Sequence, residues 1–443
     1  MRRPLGIALA ALFLAPSAFG AARLDVSTAY KLRGLSYKNM HISDPVQNKS
    51  FMTQNARLGF AVREIELTGG AGPEPVTLDV ALSLRAVGVA GSTGPVLAPF
   101  DIAAQRYPNA EFLPFIENAY LRAHGLFGYP MDVTFGQQPY TVGSGLLLSD
   151  DGAGLAGISA RGSLPWWDMK RDGYLFQPRN HQTLSDSLTI FGTSLEIPSE
   201  GTWQFNQMFE RELNQTRAAG LPVGRATRSF SSARYLINFG PLFFDGEAAL
   251  QKGSANPSGP APIGNHVTYN SNAQVMRAKW KQPFFKEDGI ARMTVSRGSG
   301  DNGSTPTTDE AFFPSFGHRF EGLERSGMGD FFQATPYDAF GGQSTSTASG
   351  LPAGASGIIS VGLGFTPPMY RGIAFDLDFW LFQADRNVGP HRTLGHEYDI
   401  RARYGFRDRF TVTLAAALFT AGPALAANKN SSRRVMLEFA GRF

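Results

Sequence analysis

The charged side chains of this sequence recur at every second position along short runs. In Gly395–Phe406, Glu397, Asp399, Arg401 and Arg403 alternate with Tyr398, Ile400, Ala402 and Tyr404. The same device sets Asp376 and Asp378 against Phe375, Leu377 and Phe379, and Arg277 and Lys279 against Met276, Ala278 and Trp280. Alternate residues of a strand point to opposite faces, so each run has one charged face and one apolar face. Sorted by parity, the charged face collects Lys31, Arg33, Arg57, Arg63, Arg85, Arg122, Arg234, Arg277, Lys279, Arg292, Arg401, Arg403 and Arg434. It also collects Asp79, Asp132, Glu210, Asp245, Glu247, Asp376, Asp378, Glu397, Asp399 and Glu438. Facing rows of Arg and Asp/Glu can brace one another across an enclosed space. Basic groups in such a space can also concentrate anions. The cations from Lys31 to Arg403 are therefore the candidate solute-contacting groups.

Covalent and metal chemistry have no local signature. There is no Gly-x-Ser-x-Gly elbow. The seven histidines (41, 124, 181, 266, 318, 391 and 396) are scattered, with no His-Glu-x-x-His. Asp301-Asn302-Gly303-Ser304 has the composition of a calcium-holding loop and reads equally as a plain polar loop. No catalytic residue, metal or cofactor is expected. A hydrolase assembled from distant strands is an alternative, and so is a structural or adhesin-type barrel with a plugged lumen.

The ends of the chain say where such strands would sit. Met1–Gly20 opens with Arg2 and Arg3, runs apolar from Leu5 to Leu14 and closes on Ala18-Phe19-Gly20. That is the pattern of a secretory signal peptide. No later stretch is long and apolar enough for a membrane-spanning helix. The absence of cysteine excludes a disulfide framework and a lipoprotein anchor. Val435, Leu437, Phe439 and Phe443 share a parity and the chain stops on the aromatic, as outer-membrane barrels commonly do. Phe443 is the expected handle for barrel-assembly machinery. Removing Met1–Gly20 takes two arginines from the formal charge of +4. The near balance argues against a nucleic-acid partner.

Alternating runs begin near Leu24 and number about eighteen, with sixteen as the runner-up. Seventeen are clear. A weak one at Tyr174–Gln177, after Arg171-Asp172-Gly173, completes the even count that two termini on one side require. Short and long connections alternate, as in transmembrane barrels with tight turns on one side and longer loops on the other. A soluble chain of two or three sandwiches would also show alternation, but not this asymmetry. The expected organisation is a signal peptide (1–20) and one all-β antiparallel transmembrane barrel (21–443) in the outer-membrane lipid. Its longest connection, 298–356, is expected to fold over or into the mouth, because Phe312, Phe313, Phe316 and Phe320 need cover.

Several short motifs resemble those of alginate-export outer-membrane proteins. They are Glu117-Asn118-Ala119-Tyr120, Phe135-Gly136-Gln137-Gln138 with Gly143-Ser144-Gly145, Gly395-His396-Glu397-Tyr398-Asp399, and Gly317–Leu323 in the long loop. Gln137 stands where that family usually has arginine, and no clear acid follows Gly322. The resemblance implies a monomeric 18-stranded barrel that passes an anionic solute or polysaccharide such as alginate.

Overall fold

The computed structural model describes residues 22–40, 48–67, 76–90, 113–164, 168–178, 188–215, 224–257, 266–284, 287–301, 305, 307–314, 317, 320–321, 324–336, 357–388, 390–425 and 431–443. Eighteen long strands form the wall. They are β1 (Arg23–Lys38), β2 (Lys49–Leu67), β3 (Val76–Ala90), β4 (Leu113–His124), β5 (Met131–Gln138) and β6 (Leu155–Leu164). There follow β7 (Met169–Phe176), β8 (Leu188–Pro198), β9 (Thr202–Gln215), β10 (Gly224–Phe239), β11 (Leu242–Pro257) and β12 (Val267–Phe284). The last are β13 (Glu287–Gly298), β14 (Ile358–Thr366), β15 (Ile373–Val388), β16 (His391–Phe406), β17 (Phe410–Ala421) and β18 (Ser432–Arg442). Each pairs antiparallel with its neighbours in sequence, and β1 pairs with β18 from Ala29↔Arg442 to Lys38↔Arg433. Reciprocal bonds between Thr28 and Phe443, at 2.8 and 2.9 Å, complete that seam. The wall is thus a closed barrel with no free edge. The expected signal peptide lies outside the described residues.

Local chemistry explains the tight end. Arg407 and Asp408 both have positive φ (51° and 56°), and Arg409 N–H returns to the Phe406 carbonyl. This two-residue reversal matches the twist of β16 and β17. At the other end most connections are longer. The parity read from sequence is realised in the wall. Leu24, Val26, Tyr30, Phe205, Met276, Leu363, Ile400 and Phe439 point outward and are exposed, while the charged positions point into the lumen. An exposed apolar surface of this extent is foreign to a monomer in water and is the pattern of a transmembrane barrel.

The weak strand differs from the sequence reading. β7 spans Met169–Phe176 rather than Tyr174–Gln177, because Arg171-Asp172-Gly173 is paired on both sides, with β6 and β8, instead of turning. The reversal comes earlier, where Asp168 takes a φ of 51°. β10 runs from Gly224, held in register by β9 and β11 along its length. Among the described residues the clusters of buried apolar side chains lie inside the barrel, where connections fold inward against the wall.

Candidate functional site

Among the described residues, two connections reach far into the lumen. The first joins β5 to β6. Its Thr141–Val142 pairs with Leu148–Ser149 in a small hairpin whose tip is carried to β10 and β11. There the Ser144 N–H donates to Glu247 Oε2 at 2.7 Å, and Arg234 donates to the Gly143 carbonyl at 2.8 Å. Gly143 has φ 62°, and a Cβ on it would collide with the Glu247 carboxylate, so the tip needs glycine. At its return Arg85 donates to the Gly152 carbonyl, and Gln137 to the Ala153 carbonyl at 2.7 Å. Burial holds the Asp150 carboxyl above its usual range, against the pull of the Gly152 and Gly154 N–H groups. Leu146, Leu147 and Leu148 pack with Tyr174, Phe176 and Phe230.

The second is the long connection after β13, described as far as Pro336. It is tied at three places. At its base, Asp385 accepts from the Gly300 N–H at 2.9 Å and pairs with Arg297 at 2.7 Å. In its middle, Thr308–Asp309 runs parallel to Thr268–Tyr269 of β12, and Phe312 and Phe313 are buried. Arg228, itself clamped by Glu210 at 2.7 Å, donates to the Phe313 carbonyl at 2.6 Å. At its tip, Glu397 accepts the N–H groups of Phe331 and Phe332 at 2.6 and 2.9 Å, and Asp399 accepts that of Asp330 at 3.1 Å. The Phe331 and Phe332 rings stack on Phe419 at 5.7 and 4.9 Å. Gly329, φ 80°, lies so close that an added Cβ would sit 2.7 Å from Glu397 Oε2. The described parts of the connection fold inward against the wall, with Phe312 and Phe313 covered. Phe316 and residues 337–356 lie outside the described residues.

The sequence-derived cations fall into separate groups around the wall. Arg33 and Lys31 share Glu438, with Lys31 at 3.9 Å. Arg57 and Arg85 meet Glu117 at 2.6 and 3.0 Å, and Arg63 reaches Asp25 and Asp79 at 2.7 and 3.6 Å. Glu117 occupies a bulge, because pairing slips between Ser83↔Asn118 and Leu84↔Ile116. Arg122 donates to Thr134 and lies over the Tyr120 ring. Arg234 and Arg277 share Asp245 at 2.7 and 3.4 Å, and Lys279 sits over Phe243. Arg292 and Arg403 share Asp376 at 2.7 and 2.6 Å, while Arg401 pairs with Asp330 at 2.5 Å. Asp378 adds a second carboxylate to Arg292. Arg228, Arg297 and Arg386 are missing from the sequence-derived set although all three hold the long connection. Arg228 lies an even number of residues before Arg234 on β10, so it shares that inward parity.

Cavities remain between these parts, two of which bear on the site. One, of about 250 Å³, lies where the connections meet, with Ser144–Leu146 from the first and Ser326–Met328 from the second, beside Arg277. The other, of about 320 Å³, is bounded by Arg292, Arg401, Arg403, Asp376, Asp378 and Trp380.

No family model matches the chain, and no curated protein matches it. Solved structures do. OccAB1 of Acinetobacter baumannii aligns at 11% identity and TM-score 0.57, over 95% of this chain and 97% of that one. OccK8 (OprE) of Pseudomonas aeruginosa aligns at 10% and 0.55, over 95% and 98%. OpdK of Pseudomonas aeruginosa, solved with vanillate, aligns at 12% and 0.52, over 95% and 98%. The chain thus has the fold of outer-membrane porins of the Occ and OprD kind. These likenesses do not make it a member of the alginate-export family.

Proposed function

We propose that this chain is an outer-membrane channel for small anionic solutes. One observation carries the reading. In five lumenal ion pairs the cation is in reach of lumen water and the anion is hidden behind it. The side chains of Arg57, Arg63, Arg277, Arg401 and Arg403 keep between 38% and 49% of their surface exposed, whereas their partners Glu117, Asp79, Asp245, Asp330 and Asp376 keep between 2% and 15%. A solute in the lumen therefore meets positive potential although the formal charges nearly cancel. The apolar outer face and the porin fold support a place in the outer membrane. The OpdK structure with vanillate, an aromatic carboxylate, supports a small anion. A polysaccharide chain suits this lumen less well, because connections enter it from two sides and meet.

The apolar clusters inside the barrel favour a second reading, a structural barrel whose lumen is closed. Reversal potentials in planar bilayers separate the two. An anion-selective current supports the channel, a silent barrel supports the closed lumen, and a cation-selective current overturns the anion reading.

A further inference from the structure

The outer face carries a groove of about 710 Å³ across β14 to β18. It follows a row of residues paired in register, Leu363↔Phe379↔Tyr398↔Leu418↔Arg433. Ala416, between Ile400 and Val435 in the next row, leaves the floor low. The row ends on charge. Arg433 lines the groove, and β1 places Lys38 opposite it. Both are exposed. Registered antiparallel partners have Cα atoms about 5 Å apart and side chains on one face, so the two cations stand side by side. No carboxylate stands in either row.

The height of the pair on the barrel is also defined. Lys38 is the last residue of β1 and Arg433 the second of β18, so both lie at the end with the longer connections. Farther along the same row, on β16 and β15, Tyr398 and Phe379 pack ring to ring at 5.1 Å, with His396 against Tyr398 at 5.7 Å. Aromatic side chains of this kind mark the level of lipid headgroups on a barrel. The groove is thus an apolar trough running from a cationic pair at headgroup level into the hydrocarbon layer.

We infer that it seats one molecule of a phosphate-bearing membrane lipid, with the phosphate on Lys38 and Arg433 and an acyl chain in the trough. The inference rests on the reading of the barrel as an outer-membrane protein. A neutral lipid would bury the same apolar surface but leave both cations without an anion among the described residues. A phosphate adds charge-assisted hydrogen bonds that Arg and Lys make well.

The test uses the full barrel in nanodiscs of phosphatidylcholine with a minor fraction of phosphatidic acid, and counts retained lipids by native mass spectrometry. The parent should keep one phosphatidic acid with about a thirtyfold preference, or about fivefold per basic residue at a membrane surface. Lys38→Gln with Arg433→Gln should bring the preference near parity. Ala416→Trp, which fills the trough and leaves the cations, should also lose the lipid. Equal retention by the double variant overturns the site. Displacement by inorganic phosphate alone overturns the lipid in favour of a simple anion site, and barrel dimers without lipid assign the groove to a second copy. These substitutions face away from the lumen, so current through each variant should match the parent. Anion current without a phosphatidic acid preference removes the lipid site alone. Retained lipid on a silent barrel removes the channel reading alone.

Discussion

Arg228 and Arg277 share a chemistry and the inward parity, yet burial gives them different work. Arg228 is wholly buried, bidentate on Glu210, and its guanidinium faces the rings of Phe230 and Phe313 at 5.0 and 4.9 Å. Replacing it with glutamine would leave the Glu210 charge buried and uncompensated, at a cost of roughly 3–5 kcal/mol. Arg228→Gln should therefore lower the thermal unfolding midpoint and loosen residues 312–313 in hydrogen exchange, with ion selectivity little changed. Arg277 and Arg401 are more than a third exposed and share their pairs with lumen water, so their loss should cost little stability. Arg277→Gln with Arg401→Gln should instead shift the reversal potential toward cations, and more at low salt, where screening is weaker. An unmoved reversal potential would show that these residues only brace the wall.

At the scale of elements, the long connection is a strap with its tip on Glu397. That carboxylate uses both oxygens to accept backbone N–H groups, which a glutamine side chain can do with only one atom. Glu397→Gln leaves a buried N–H facing an amide donor, a loss of roughly 1–3 kcal/mol. Conductance should rise and become noisier, as it should when 326–335 is replaced by a short glycine–serine link. Unchanged conductance in both variants would mean that the tip does not narrow the path. The middle of the strap has its own pH dependence. Burial, with the nearby Asp301 charge, raises the Asp309 carboxyl to about 6, against the pull of the Ala311 N–H and Arg228. The folded state then holds a proton that the unfolded state has already released, so stability falls as pH rises from the ordinary carboxylate range through about 6. Exchange at 307–313 should quicken across that window, and Asp309→Asn should flatten the change.

For the whole molecule, closure is the controlling fact. β18 is hydrogen-bonded to both β17 and β1, so removing 432–443 would expose two strand edges and the polar lumen together. Such a truncation should fail to give a folded barrel in detergent, whereas Phe443→Ala should fold in vitro if the aromatic serves assembly alone. On the proposed channel reading, selectivity is also a property of the whole. The exposed cations stand on β2, β12 and β16 rather than at one site. Their summed field should fade as the screening length falls from about 10 Å at 0.1 M salt to about 3 Å at 1 M. A selectivity independent of salt would point to one tight binding site instead.

Period-two alternation was enough, by itself, to determine an all-β wall, its inward charged face and a near-complete strand count. Side-chain direction in a strand is local and survives any tertiary context. The motifs Glu117–Tyr120, Gly143–Gly145 and Gly395–Asp399 were visible as unusual, but their work was not. In the structure Glu117, Gly143, Ser144, Glu397 and Asp399 help hold the inward connections, through partners from 32 to 103 residues away. Sequence spacing carries no record of such contacts. It was equally silent on which cations reach water, since Arg85 and Arg57 differ only in how deeply the fold sets each beside the same Glu117. Parity put the charges in the lumen. Burial, decided by closure of the barrel and the descent of the inward connections, hid Glu117, Asp245 and Asp376 and left Arg57, Arg277 and Arg403 in view.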